Sequence, residues 1–145
     1  MHRILIRVAL AALLSVLVAV PVAAAGATNT TIEITGINGV ETFTTTGGLL
    51  CPDGTSEDTF DKFGGSFASR AGTFHGSKTL TCTDGSGTFS ITYDAAVVWG
   101  NPQDQGGWKV IGGTDNYATL RGGGNLVGTY IDNGIIDLFT GRVSL

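Results

Sequence analysis

The chain has 145 residues, one domain's worth, with 23 glycines and a formal net charge of −4. Nucleic-acid binding needs a basic footprint that displaces counterions, and this acidic balance argues against it, as it does against docking on anionic lipid. Abundant glycine and threonine suit strands and tight turns rather than helices.

Residues 1–25 carry the marks of a secretory signal peptide. Arg3 and Arg7 make a positive start, and 8–20 is apolar but for Ser15. Pro21 then breaks the helix, and Ala23-Ala24-Ala25 offers a cleavage site. A membrane span would need about 20 apolar residues with charged or aromatic flanks. This stretch reaches that length only through its alanine run, and no basic stop comes after it. The expected organisation is a signal helix over 1–25 and a single β domain over 26–145. That domain would be secreted or held in the cell envelope, with no membrane association after cleavage. Without Arg3 and Arg7 it keeps six basic side chains against twelve acidic ones, a charge that favours solubility.

The first strand is predicted over 31–35, where Thr-Ile-Glu-Ile-Thr alternates polar and apolar. Residues 40–46 pair with it across Asn38-Gly39. Residues 53–69 have the least pattern and read as a long loop, with a short strand near 63–68. A hairpin spans 74–94 around the turn Asp84-Gly85-Ser86-Gly87, with Phe89, Ile91 and Tyr93 on one face. Residues 95–99 extend it. Later strands fall at 108–111, 124–131 and 135–143, the last two joined through Asp132-Asn133-Gly134, whose Asn-Gly pair favours a tight hairpin. One helical turn is predicted over 115–120, with Thr114 as its N-cap. Seven or eight short strands joined by hairpins must hide their edges, by closing into a barrel or by stacking two sheets.

The two cysteines, Cys51 and Cys82, are expected to pair in an oxidising compartment. Closing that loop would stabilise the fold by roughly 3–4 kcal/mol on the chain-entropy model. With His75 the one histidine of 26–145, the four ligands of a metal site are lacking, and no metal is expected.

The segment Gly112-Gly113-Thr114-Asp115-Asn116-Tyr117-Ala118-Thr119-Leu120-Arg121-Gly122 resembles the glycine-turn signature of allene oxide cyclase-like and dirigent-like proteins. Trp108-Lys109-Val110-Ile111 before it fits the strand leading into that turn, and the closing Phe139-Thr140-Gly141-Arg142-Val143 looks like small secreted bacterial relatives of that family. Asp115 departs from the pattern, which usually has Gly there, and leaves the alignment of residues 116–122 open by one position. The resemblance covers about residues 108–143. It implies an all-β, calycin-like closed antiparallel barrel of about eight strands with a central cavity, often trimeric. It implies cofactor-free handling of hydrophobic substrates, and it implies that Arg121 faces the cavity, where it would hold a carboxylate or phenolate.

The residues themselves give further pocket candidates. Asp137 shares a strand face with Ile135 and Phe139, so its carboxylate lies either in a cavity or on an unburied face. Tyr93, Tyr117 and Tyr130 are candidates to line a cavity, Tyr117 doubling with Leu120 as a plug. Lys78 shares a face with Phe74 and Leu80. A bulge at Gly76, or a stem lying over apolar surface with its amine in water, would relieve that placement. His75, Glu33 and Glu41 read as outward-facing. No G-x-S-x-G elbow, P-loop or H-E-x-x-H motif occurs. Three functions remain open: a barrel binding a small hydrophobic or amphipathic ligand, a cofactor-free isomerase or cyclase, and a structural envelope protein with a filled barrel.

Overall fold

The computed structural model describes residues 26–66 and 68–145. The signal helix expected over 1–25 lies outside the described residues. Eight strands run in sequence order around a closed antiparallel barrel, each pairing with the next and the last with the first. They are β1 Thr28–Ile37, β2 Val40–Thr46, β3 Asp53–Ser66, β4 Ala71–Cys82, β5 Thr88–Val98, β6 Gln103–Gly113, β7 Arg121–Ile131 and β8 Gly134–Ser144. Closure removes every sheet edge, which a chain of short hairpins would otherwise expose.

The up-and-down path gives the barrel two unlike ends. One carries the connections 47–52, 83–87 and 114–120, and the other the tight turns at 38–39, 68–70, 99–102 and 132–133. At the first end the interior is packed solid. Phe89 meets Phe43 and Tyr117 edge-on, with ring centroids 5.8 and 5.4 Å apart. Leu50, Leu80, Leu120 and Val143 close around these rings. The connection 47–52 is tied down by the Cys51–Cys82 disulfide, whose Cα atoms lie 5.9 Å apart.

The glycine-turn segment contributes to this closure. A single 3-10 turn at Asp115–Tyr117 drops Tyr117 into the barrel, where its hydroxyl meets Ser86 Oγ at 3.1 Å. Asp115 sits in the left-handed region at φ 51°, a conformation that Asp tolerates better than most residues with a Cβ. Thr114 occupies the N-cap position but does not cap the turn. Its hydroxyl instead accepts the Thr88 backbone N–H at 3.0 Å, which stitches the turn to β5.

Three expectations need correcting. Residues 53–66 form the longest strand, not a loop. The strand hides its alternation because buried Ser56 and cavity-lining Asp58 are polar, and because the register against β4 slips between Asp58 and Phe60. The second correction concerns the last hairpin. It is tight as expected, but it turns on Asp132-Asn133 with Ile131 paired to Gly134, so Gly134 belongs to β8 and not to the turn. The third concerns β4: it pairs with β5 without interruption from Ala71 to Thr81, so no bulge at Gly76 reorients Lys78.

Candidate functional site

Toward the second end the packed core gives way to a cavity of about 300 Å³. The register explains its walls, because inward-facing residues line up in rows across neighbouring strands. Asp58 of β3 stands opposite Lys78 of β4. Asp104 of β6, Gly128 of β7 and Asp137 of β8 form a second row. Phe74, Tyr93, Ala95, Leu126, Tyr130 and Ile135 supply the apolar and aromatic wall between these rows.

Lys78 is the pivot of the first row. It is only 3% exposed, and its ammonium reaches Glu41 Oε1 at 2.8 Å, Glu41 Oε2 at 2.9 Å and Asp58 Oδ1 at 2.8 Å. Ser56 Oγ donates to Glu41 Oε2 at 2.9 Å. Burial alone would lower the Lys78 pKa, but the hydrogen bonds and charges of Asp58 and Glu41 outweigh it and hold the ammonium above its ordinary value. The same ammonium lies 5.8 Å from the centre of the Tyr93 ring, within cation–π range. Lys78 therefore points inward with its charge paired, and Glu41 points inward to meet it. Both findings correct the sequence reading, while Glu33 is exposed as expected.

Gly76 makes room for this arrangement. It pairs with Tyr93 across β4 and β5, and a Cβ there would fall 2.3 Å from the Tyr93 ring. The bare backbone lets the ring lie flat over the strand and form a wall of the cavity.

Gly128 does the same for the second row. A Cβ at this position would lie 2.3 Å from Asp104 Oδ1 and 2.8 Å from Asp137 Oδ1, so both carboxyl groups lean over one glycine. Asp104 is buried and satisfied: its Oδ1 accepts the Gly128 N–H at 3.0 Å, and its Oδ2 accepts the Tyr130 hydroxyl at 2.9 Å. Burial and that hydrogen bond push the Tyr130 hydroxyl up to about 12. The Tyr93 hydroxyl is raised as well, by burial first and then by the charges of Asp58, Asp61, Asp137 and Glu41.

Asp137 differs from its neighbours. It is 8% exposed, yet its carboxyl group makes no hydrogen bond or ion pair among the described residues. Burial pushes its carboxyl up to about 7, the Lys78 charge opposes the shift, and Asp104, Glu41 and Asp58 add to it. No buried side-chain oxygen among the described residues is sealed off without a partner, so the Asp137 oxygens reach the cavity space.

The turns of this end mix exposed polar residues, Asn38, Arg70, Asn101, Asp132 and Asn133, with exposed apolar ones. Ile37, Val40, Phe63, Val98, Trp99 and Ile131 are exposed on or beside the turns of that end. Two further hollows open from the cavity's edges, one of about 480 Å³ past Glu41 and Asp58, and one of about 410 Å³ past Phe74 and Tyr130.

Of the pocket candidates named from the sequence, Tyr93, Tyr130 and Asp137 meet in the cavity. Arg121 and Tyr117 do not. Arg121 begins β7 at the packed end, is exposed, and donates through Nη1 to Leu120 O at 2.7 Å. Tyr117 is spent on the aromatic plug. His75 faces outward and pairs with Asp94 across β4 and β5. Asp58, Asp61 and Asp104 join the site although the sequence reading does not single them out. A signal for Asp104 exists, since residues 104, 106, 108 and 110 alternate onto one face with Trp108 and Val110. Among the described residues, no group of three His, Cys, Asp or Glu side chains is placed to hold a metal ion. No protein-family model, curated protein or solved structure matches the chain, and the site stands on its own geometry.

Proposed function

We propose that the protein is a binding barrel that takes a small amphipathic ligand into the open half of its interior. The observation that carries this reading is a half-filled barrel. A cavity of about 300 Å³ persists beside a solid aromatic core, and charged groups converge on it from five strands. Binding sites for small molecules are commonly concave and largely apolar, with a few convergent polar groups and a perturbed titratable residue. A purely structural barrel would gain stability by filling that space with side chains. The apolar wall of Phe74, Ala95, Leu126 and Ile135 suits a ligand that is partly hydrophobic. The disulfide supports an oxidising compartment, in keeping with export. The likeness to allene oxide cyclase-like and dirigent-like proteins belongs to this same proposal, and it rests on the sequence of residues 108–143.

The test is a two-dimensional NMR titration of residues 26–145 with a collection of small aromatic and aliphatic fragments. Binding in the cavity shifts the amides of Tyr93, Leu126 and Gly128 and leaves those of Tyr117 and Leu120 unmoved. Leu126→Trp, which fills the cavity, should abolish those shifts while the closed-end spectrum persists. Shifts scattered over the outer surface, or unaffected by the Trp, would sink the binding reading.

One observation favours proton chemistry as a second reading. A carboxyl titrating near 7 at a cavity wall is matched to general acid–base work on a bound ligand. A cofactor-free isomerase would pass a proton between ligand and Asp137. Its rate would then depend on a group titrating near pH 7 and vanish in Asp137→Asn.

A further inference from the structure

The charge inventory of the cavity is unbalanced. Its wall holds five carboxyl groups, Glu41, Asp58, Asp61, Asp104 and Asp137, against the single ammonium of Lys78. That ammonium is already engaged, held by both oxygens of Glu41 and by Asp58. Asp104 is likewise satisfied by Gly128 and Tyr130. Asp137 is not. It is more than nine-tenths buried, leans with Asp104 over Gly128, and has no partner among the described residues. A buried carboxylate without a partner is costly, and a cation delivered to it removes the cost. The adjoining wall offers Phe74, Tyr93 and Tyr130, aromatic rings of the kind that hold organic cations.

We infer that the ligand carries a primary amine or another organic ammonium group, which seats against Asp137 with Asp104 beside it, while its apolar part lies along Tyr93, Phe74 and Leu126. This rests on the cavity being a ligand site and narrows the ligand to a chemical class. An anionic amphiphile is disfavoured by the same geometry, because Lys78 is the cavity's one basic side chain and its charge is taken. The reaction on binding is a simple exchange. Where Asp137 carries a proton, the incoming ammonium displaces it to solvent. Where Asp137 is ionised, no proton moves. The Tyr93 hydroxyl from β5 and the Tyr130 hydroxyl from β7 face Asp137, and the charged groups that do so are Lys78 from β4, Asp104 from β6, Glu41 from β2 and Asp58 from β3. Three of these four are carboxylates, so their field also favours the cation.

The experiment compares three probes of nearly one shape: 2-phenylethylamine, 2-phenylethanol and phenylacetate. Affinities are measured by calorimetry at pH 6 and pH 8.5, in two buffers of different ionisation heat. The amine should bind at least about tenfold tighter than the alcohol, a gap of about 1.4 kcal/mol, with phenylacetate weakest. Amine binding should release a proton at pH 6 and none at pH 8.5, which a non-specific acidic surface would not do. Asp137→Asn should erase the gap between amine and alcohol, and the proton release with it. Equal binding of all three probes would overturn the charge inference and leave the binding barrel standing. Failure of all three at millimolar concentration, with no fragment shifting the Tyr93 and Leu126 amides, would overturn both. Amine binding that survives Asp137→Asn with its proton release intact would also refute the assignment.

Discussion

The two ends of this barrel are built from the same strands and spend their interiors differently. At the packed end Phe43, Phe89, Tyr117 and Leu120 fill the lumen, and a disulfide and a 3-10 turn hold the lid in place. At the open end the same strands present Glu41, Asp58, Lys78, Asp104 and Asp137, and two glycines withhold side chains to make room. Hydrophobic burial is the main favourable term in folding, so the first half supplies stability. The second half forgoes packing and keeps buried charges that lower stability unless each is partnered. Stability and candidate function are thus separated along the barrel axis.

The sharpest way to break this comparison is to damage the packed end. Phe89→Ala removes a fully buried ring that touches both Phe43 and Tyr117. It should cost about 3–5 kcal/mol in urea unfolding. Ligand titrations below the new midpoint should still move the Tyr93 and Leu126 amides. Loss of binding in a still-folded Phe89→Ala protein would show that the two halves are not separable.

Lys78→Met tests the opposite half. It leaves Glu41 and Asp58 facing each other without their cation. Removal of one partner from a buried pair is strongly destabilising, but the Glu41 and Asp58 side chains are 18% and 43% exposed and keep some water. The expected loss is about 2 kcal/mol in chemical unfolding. Adding Glu41→Gln should recover part of it, and a double-mutant cycle would measure the coupling.

Asp137 gives a smaller effect of opposite sign. The unfolded chain loses this proton near pH 4, and the folded protein holds it to about 7. The native state therefore binds more protons between those values. The group's contribution is fully present below about pH 4 and is lost as the pH rises through 7. Asp137→Asn should accordingly raise the unfolding free energy at pH 8 by about 1–2 kcal/mol and change little at pH 4, because the amide still leaves a polar group at the site. A variant less stable at pH 8 than the parent would mean that Asp137 has a stabilising partner when ionised.

How far the sequence foretells this depends on which end is considered. Around the packed end the inward residues are apolar, so the alternation of Ile32 with Ile34 and of Phe89 with Ile91 is plain, and six of the eight strands are legible with little more than a shift of boundary. Tyr117 and Leu120 are legible as a plug for the same reason. At the open end polar residues face inward, and alternation then points the wrong way. Glu41 looks like an outward charge, and β3 looks like a loop. The slip in register after Asp58 breaks any period that remains. Lys78 shows the conflict openly, sharing a face with Phe74 and Leu80. The carboxylates that resolve it lie on β2 and β3, 37 and 20 residues away in sequence, and only barrel closure brings them together.

The smallest expected effect separates resemblance from geometry. The likeness to dirigent-like proteins implies a cavity role for Arg121. In the fold that residue starts β7 at the packed end, exposed and bonded to the carbonyl of Leu120. The cavity begins further along the same strand, at Leu126, on the far side of the Phe89 and Tyr117 rings. An exposed side chain with one backbone bond contributes little, so Arg121→Ala should change stability by less than about 0.5 kcal/mol. It should leave amine and alcohol affinities where they were. A loss of ligand binding on this substitution alone would mean that the ligand enters from the packed end, and the two halves of the barrel would have to exchange roles.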